Sequence, residues 1–223
     1  YYQNLLNCEL MRLFKFNYFY LFTLFSFCLV YLNLLRFNSF KDQVVLLSDL
    51  TNNTYNFNID NLHETLFPYP SLTVSSIPIY SLKARYQLNL DQIESAQQSL
   101  DRGIKHNPYM IYSHYIKSRI YLSENKIIQS LKYLREGFEI SPNNSYLTPL
   151  YFSLLSQFSL DQELMSAYDT IVGMDNLDLW KFYYISVKNL KLQDDNFLNI
   201  IIESATTSLG ISKENFLIIV DSL

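Results

Sequence analysis

Three histidines, two cysteines and a scatter of acids are the side chains in this 223-residue chain from which bond-making chemistry could be assembled. His106 and His114 stand on either side of Pro108 and could approach each other across a turn. No cysteine or carboxylate lies at metal-ligand spacing from both. His63 is remote from them, and all three read as exposed or rim residues. Cys8 is far from every histidine and Cys28 sits inside a hydrophobic run, so no thiolate–imidazole nucleophile can be drawn. Asp194/Asp195 and Asp175/Asp178 are acid pairs, but such pairs usually cap helices or wet a surface. Sugar chemistry would also need a cleft and a raised carboxyl pKa. No GxxxxGK[ST], HExxH, GxSxG or EF-hand pattern occurs. The expectation is no catalytic, cofactor or metal site, and no catalysis by this chain on its own.

A repeated K-x-R is the more specific signal. Lys83 and Arg85 recur as Lys117 and Arg119, 34 residues on. Basic side chains stacked at equivalent places on neighbouring helices could grip an acidic peptide or a carboxyl terminus. The alternative is a solvated surface with salt bridges to adjoining units. Tyr109, Tyr112, Tyr115 and Tyr121 crowd the same region, as stacking residues between units or as anchors for a partner.

The elements that would position these residues are helices. Residues 79–89 and 92–106 form one predicted pair, with Leu88, Ile93, Ala96, Leu100 and Ile104 as the inward stripe. Asp91 is the expected cap of the second helix, with Glu94 completing a capping box. The next pair is 110–122 and 126–140, capped at Asn125 or Ser123. Two further pairs are expected at 146–157 with 161–172 and at 178–190 with 195–207. A last apolar segment follows at 213–222, where FLIIV is ambiguous between helix and strand. Laying residues 77–110 over 111–144 matches eight positions, from Ile77/Ile111 through Leu88/Leu122, Leu100/Leu134 and Gly103/Gly137 to Pro108/Pro142. A short helix pair cannot bury its own apolar face, but stacked pairs can.

These residues resemble the tetratricopeptide repeat family. Tyr80, Ala84, Ala96, Leu100 and Pro108 fill the family's roles in the first unit; Ser118, Tyr121, Ser130, Leu134 and Pro142 fill them in the second. Lys83 and Lys117 stand where the family prefers leucine, Gln87 replaces a tyrosine, and Gly103 and Gly137 replace alanine. Residues 145–178 keep the unit length without a proline near 176. The resemblance implies a superhelix whose first helices line a concave face, which would place Lys83, Arg85, Lys117 and Arg119 there as a peptide-binding set.

Ahead of the repeats, Lys15 and Arg36 enclose twenty uncharged residues, FNYFYLFTLFSFCLVYLNLL. As a helix they rise about 30 Å, one hydrocarbon thickness. Thr23, Ser26 and Asn33 are tolerable if they bond locally, and Tyr18, Tyr20 and Tyr31 suit the interfaces. A buried core helix and a cleaved signal peptide are the rival readings. Basic residues flank both ends, so the positive-inside rule does not orient the segment. The expected organisation is a flank at 1–15, a transmembrane helix at 16–36 contacting lipid through 16–35, a linker with short helices at 37–77 and a repeat domain at 78–223. The fold class is all-α: an N-terminal transmembrane helix followed by a TPR-like α-solenoid of antiparallel helix pairs.

A formal charge of −4 argues against a nucleic-acid partner. The run FPYPSLT…IPIYSLKARYQL…IKHNPYMIYSHYIKSRIYL…ISPNN is similar to the carboxyl-terminal region of bacterial O-antigen ligase or polymerase-like proteins. That resemblance implies a bacterial inner-membrane protein with periplasmic repeats, of which this chain, starting at Tyr1, would be a fragment lacking the catalytic part. Three functions stay open: a membrane-tethered module binding another protein, the end of such a glycan transferase, and a structural subunit of a membrane assembly.

Overall fold

A computed structural model describes the backbone of residues 2–61, 76–190 and 195–221. The turn expected near 61–67, with His63, Pro68 and Pro70, lies almost wholly outside the described residues, as does Asp194. The chain divides into two compact units, Tyr1–Ser75 and Ser76–Leu223. Among the described residues every extended element is a helix, and FLIIV belongs to one of them.

The first unit is dominated by α1, Tyr2–Asn52, a single helix of 51 residues. From Tyr18 it is long and apolar enough to cross a membrane, and its most apolar stretch is bare of protein contact. Polar side chains there satisfy themselves on the preceding turn. Thr23 Oγ1 donates to Phe19 O at 2.8 Å, Ser26 Oγ to Phe22 O at 2.9 Å and Asn33 Nδ2 to Leu29 O at 2.9 Å. In hydrocarbon this removes the penalty of an unmet hydroxyl or amide. The helix does not break after Arg36. Residues 37–52 continue it, and Asp49 then ends it by gathering the outgoing chain. Its carboxylate accepts from Thr54 Oγ1 at 2.8 Å and from the amides of Asn56 and Phe57 at 2.9 Å each.

The second unit is an array of antiparallel helices of tetratricopeptide-like form. Its elements are α2 (Ile79–Asn89), α3 (Ile93–His106), α4 (Ile111–Ser123), α5 (Ile127–Ile140), α6 (Leu147–Gln157), α7 (Asp161–Ile171), α8 (Leu177–Lys188), α9 (Asp195–Leu209) and α10 (Lys213–Asp221). Helix packs on the next helix in sequence, α2 on α3 and α4 on α5 most closely. Ala84, Ala96, Ser118 and Ser130 are buried in those two pairs. Small side chains let backbones approach, which is why the pairs are tight.

The 34-residue period is written in the backbone corners. Asp91, Asn125 and Ser159 have φ of 58°, 58° and 52°, the left-handed region. Around each, the same bonds recur. The amides of Gln92, Lys126 and Leu160 donate to the carbonyls of Gln87, Tyr121 and Leu155, each at 2.8 Å. The amides of Asp91, Asn125 and Ser159 donate in turn to the carbonyls of Leu88, Leu122 and Ser156 at 3.1, 3.0 and 3.1 Å, and such a pair of reversed bonds around a left-handed residue closes a helix and turns the chain. Asp91 and Asn125 therefore terminate α2 and α4 rather than capping α3 and α5. The residues before α3 and α5 are Gln92 and Lys126, and neither makes a side-chain cap bond. Aspartate and asparagine tolerate positive φ better than most residues, and here that property outweighed capping. Ile93 is a second correction: it opens α3 and is 40% exposed, whereas Leu100 is fully buried.

The third pair departs from the first two for a readable reason. Phe152 and Leu164 stand where the earlier pairs have small residues, and both are fully buried. Bulk at the crossing holds α6 and α7 apart, and α6 packs more extensively on α8. Phe152 meets Tyr183 edge-on with ring centres 5.1 Å apart. In place of a proline, the turn after α7 uses Gly173 at φ 82° and Asn176, whose side chain accepts from the Leu179 amide.

Candidate functional site

An open groove of about 700 Å³ is lined from α2 by Arg85 and Leu88 and from α4 by Tyr112, Tyr115, Ile116, Arg119, Ile120 and Ser123, with Tyr146 just ahead of α6. It therefore runs along the first helices of successive pairs. Along α4 the lining positions recur at three- and four-residue steps, which is one face of a helix. Leu88, Ile116 and Ile120 make an apolar floor, three tyrosines the walls, and Arg85 and Arg119 bring two guanidinium groups. Arg119 is held in place: its Nη1 donates to Tyr115 Oη at 3.0 Å, and its guanidinium carbon lies 5.9 Å from that ring's centre. Tyr115 and Tyr146 approach at 6.3 Å across the boundary between pairs.

The four basic residues expected to act together part company. Residues two apart on a helix point about 200° from each other, so K-x-R sends its members to opposite sides. Arg85 and Arg119 reach the groove. Lys117 is 2% exposed and bonded to Asp101 of α3, with its ammonium 4.6 Å from the Tyr133 ring centre. Burial pulls the Lys117 pKa down, but hydrogen bonds to Asp101 and Tyr133 outweigh it and leave the pKa above the ordinary lysine value. Lys83 occupies the equivalent place in α2 and is half-buried.

The histidines serve the corners. His114 is 3% exposed, not a rim residue. Its Nε2 lies 3.0 Å from the carbonyl of Pro108, to which it donates. One period later Thr148 Oγ1 donates to the carbonyl of Pro142 at 2.8 Å. The two residues do the same job: each ties the start of a first helix to the proline that closed the preceding unit. His106 packs on Tyr80 with ring centres 5.0 Å apart. Ser123 donates to Ile120 O at 2.7 Å. Among the described residues no group of three or more His, Cys, Asp or Glu could hold a metal.

The tyrosines divide similarly. Tyr121 stacks on Tyr133 within its own pair, at 5.7 Å and 11°. The first pair answers at the same two places with a hydrogen bond, Ser99 Oγ to Gln87 Oε1 at 2.7 Å. The third answers with buried Leu155 and Ala167. Tyr109 stands in solvent. Sequence reasoning missed Tyr146 and the apolar floor, although helical-face arithmetic on α4 would have joined Tyr112, Tyr115, Ile116 and Arg119.

No family model, no curated protein and no solved structure matches this chain.

Proposed function

We propose that this chain is a membrane-tethered, non-catalytic repeat module that holds a segment of another protein in the α2–α4 groove. The observation that carries the reading is the groove itself: two arginines one period apart over an apolar, tyrosine-walled floor. An acidic segment with apolar side chains fits that chemistry, the carboxylates meeting the guanidinium groups and the apolar side chains meeting Leu88, Ile116 and Ile120. The recognition role of the basic set narrows to Arg85 and Arg119, since Lys117 is committed to Asp101. The tether is α1, crossing the bilayer through residues 16–35. The likeness of FPYPSLT…ISPNN to O-antigen ligase-like proteins supports a bacterial inner-membrane setting with periplasmic repeats.

The test is affinity capture of the intact protein from its own membranes, with and without Arg85→Glu and Arg119→Glu together. The double reversal removes the captured partner, while Lys83→Glu leaves it. An unchanged partner set after the double reversal refutes groove binding.

A further inference from the structure

We infer that lipid contact does not end at Arg36: the face of α1 carrying Phe37, Phe40 and Val44 lies in the headgroup boundary of the bilayer. The inference rests on reading α1 as a membrane span. From Tyr18 to Leu34 the apolar side chains of α1 are bare on all sides. Beyond that point the helix becomes two-faced. Ser39, Asp42, Gln43, Leu46 and Leu50 are buried within the protein, and they fall on one side at three- and four-residue steps. The opposite side stays apolar and open: Phe37 is 64% exposed, Phe40 50% and Val44 50%. Two phenylalanines and a valine in one row, contiguous with the apolar span, make a strip rather than scattered exposed residues.

Length gives the occupant. Tyr18 to Leu35 rises about 27 Å, nearly the whole hydrocarbon layer. Tyr18 to Val44 rises about 40 Å, close to the thickness that includes the headgroups. The open face then changes character within one turn, from Val44 to the polar Ser48 and Thr51, both exposed. Apolar surface thus stops where a bilayer stops. Lys41 lies on the same open face, where its stem can follow the apolar row and its ammonium can reach lipid phosphate. The row is unbroken with the span above it, so one lipid environment serves both.

Spin labelling of the full chain in phosphatidylcholine vesicles containing phosphatidylglycerol tests this. In a Cys8→Ser, Cys28→Ser background, nitroxides are placed singly through Phe40→Cys, Val44→Cys and Ser48→Cys; a fourth sample keeps Cys28 as the label site. Collision with oxygen reports lipid, and collision with a water-soluble nickel chelate reports solvent. Positions 40 and 44 are expected to favour oxygen, as Cys28 does, with the preference reversed at 48. A solvent pattern at 40 and 44 beside a lipid pattern at Cys28 overturns the inference and leaves the span standing. Low collision with both reagents at 40 and 44 also overturns it, in favour of a second copy or another protein on that face. A solvent pattern at Cys28 overturns the span reading, and the inference with it.

Discussion

Lys117 and Tyr151 stand one 34-residue period apart and each bonds an acid, Lys117 across the boundary between two helix pairs and Tyr151 within its own pair, on a carboxylate that Arg135 holds from across the boundary. Lys117 reaches Asp101 on the preceding α3. Tyr151 donates to Glu163 Oε1 at 2.5 Å, and Arg135 of the preceding α5 grips that carboxylate twice, at 2.7 and 2.8 Å. Asp101 and Arg135 are themselves one period apart. The same interface is therefore built twice with its charges rearranged.

Removing the acid from the first interface should harm the protein more than removing both charges. Asp101→Ala leaves a buried ammonium with only Tyr133, its ring and its hydroxyl, as partner. Because Asp101 itself is largely solvated, the expected loss is about 1–3 kcal/mol rather than the larger penalty of a fully enclosed pair. Lys117→Met with Asp101→Ala should be near neutral. Thermal melting of the detergent-solubilised chain distinguishes the two; equal losses would contradict the pairing.

The second interface carries a pH signature. The Arg135 hydrogen bonds, against the opposing effect of burial, hold the Glu163 pKa below the ordinary carboxylate value. A lowered folded pKa contributes stability that is complete above the unfolded value and lost as pH falls through the folded one. Glu163→Gln should thus lose about 1 kcal/mol at neutral pH, the scale of a partly solvated pair. The gap to the unsubstituted chain should close as pH falls below the ordinary carboxylate value and through the lowered folded one. A gap that persists once both the folded and the unfolded carboxyl are protonated would show that the carboxylate's charge is not what matters. Burial pushes the Tyr151 hydroxyl well above its usual pKa, so it stays a donor through any physiological range.

Glycine should be tolerated at the three left-handed corners, and best at the third. Ser159 lacks the preference of aspartate and asparagine for positive φ, so Ser159→Gly should gain about 0.5–1 kcal/mol. Asn125→Gly should change little, and Asn125→Val should cost about 1–2 kcal/mol by forcing a branched residue into that region. Urea midpoints of the three variants rank them.

Gly137 is required for space, not for backbone freedom. A Cβ built there would lie 2.3 Å from Leu147 Cδ1, and Leu147 is fully buried. Overpacking of about 1–3 kcal/mol should exceed the helix propensity gained, about 1 kcal/mol. Gly103→Ala meets only the Ser81 hydroxyl, at 2.3 Å, which can rotate at the loss of its 2.6 Å bond to Ser113. It should be the milder of the two in the same melt.

Helix pairing was legible because period and polarity agree: Pro108 and Pro142 mark unit ends, and Leu100 and Leu134 mark the buried side. What escaped was direction. Lys83, Arg85, Lys117 and Arg119 looked like one set because spacing between repeats is visible in a sequence, whereas sidedness within a turn must be worked out residue by residue. Asp91 reads as a cap because aspartate serves both ends of helices, and only φ separates the roles. His114 carries no local sign of being buried; its partner is a carbonyl, which any residue supplies. The third pair hid its reason in Phe152 and Leu164, ordinary core residues whose fault is being large where their counterparts are small.

A helix that runs from Tyr2 to Asn52 without a joint at the bilayer surface has a mechanical meaning. On the proposed reading of α1 as a membrane span, rotation or tilt of its apolar half cannot be absorbed by a swivel before residue 52, so whatever packs on Ser39, Asp42, Gln43, Leu46 and Leu50 must turn with it. On that reading, the lipid around the apolar half sets the orientation of residues 37–52 as well.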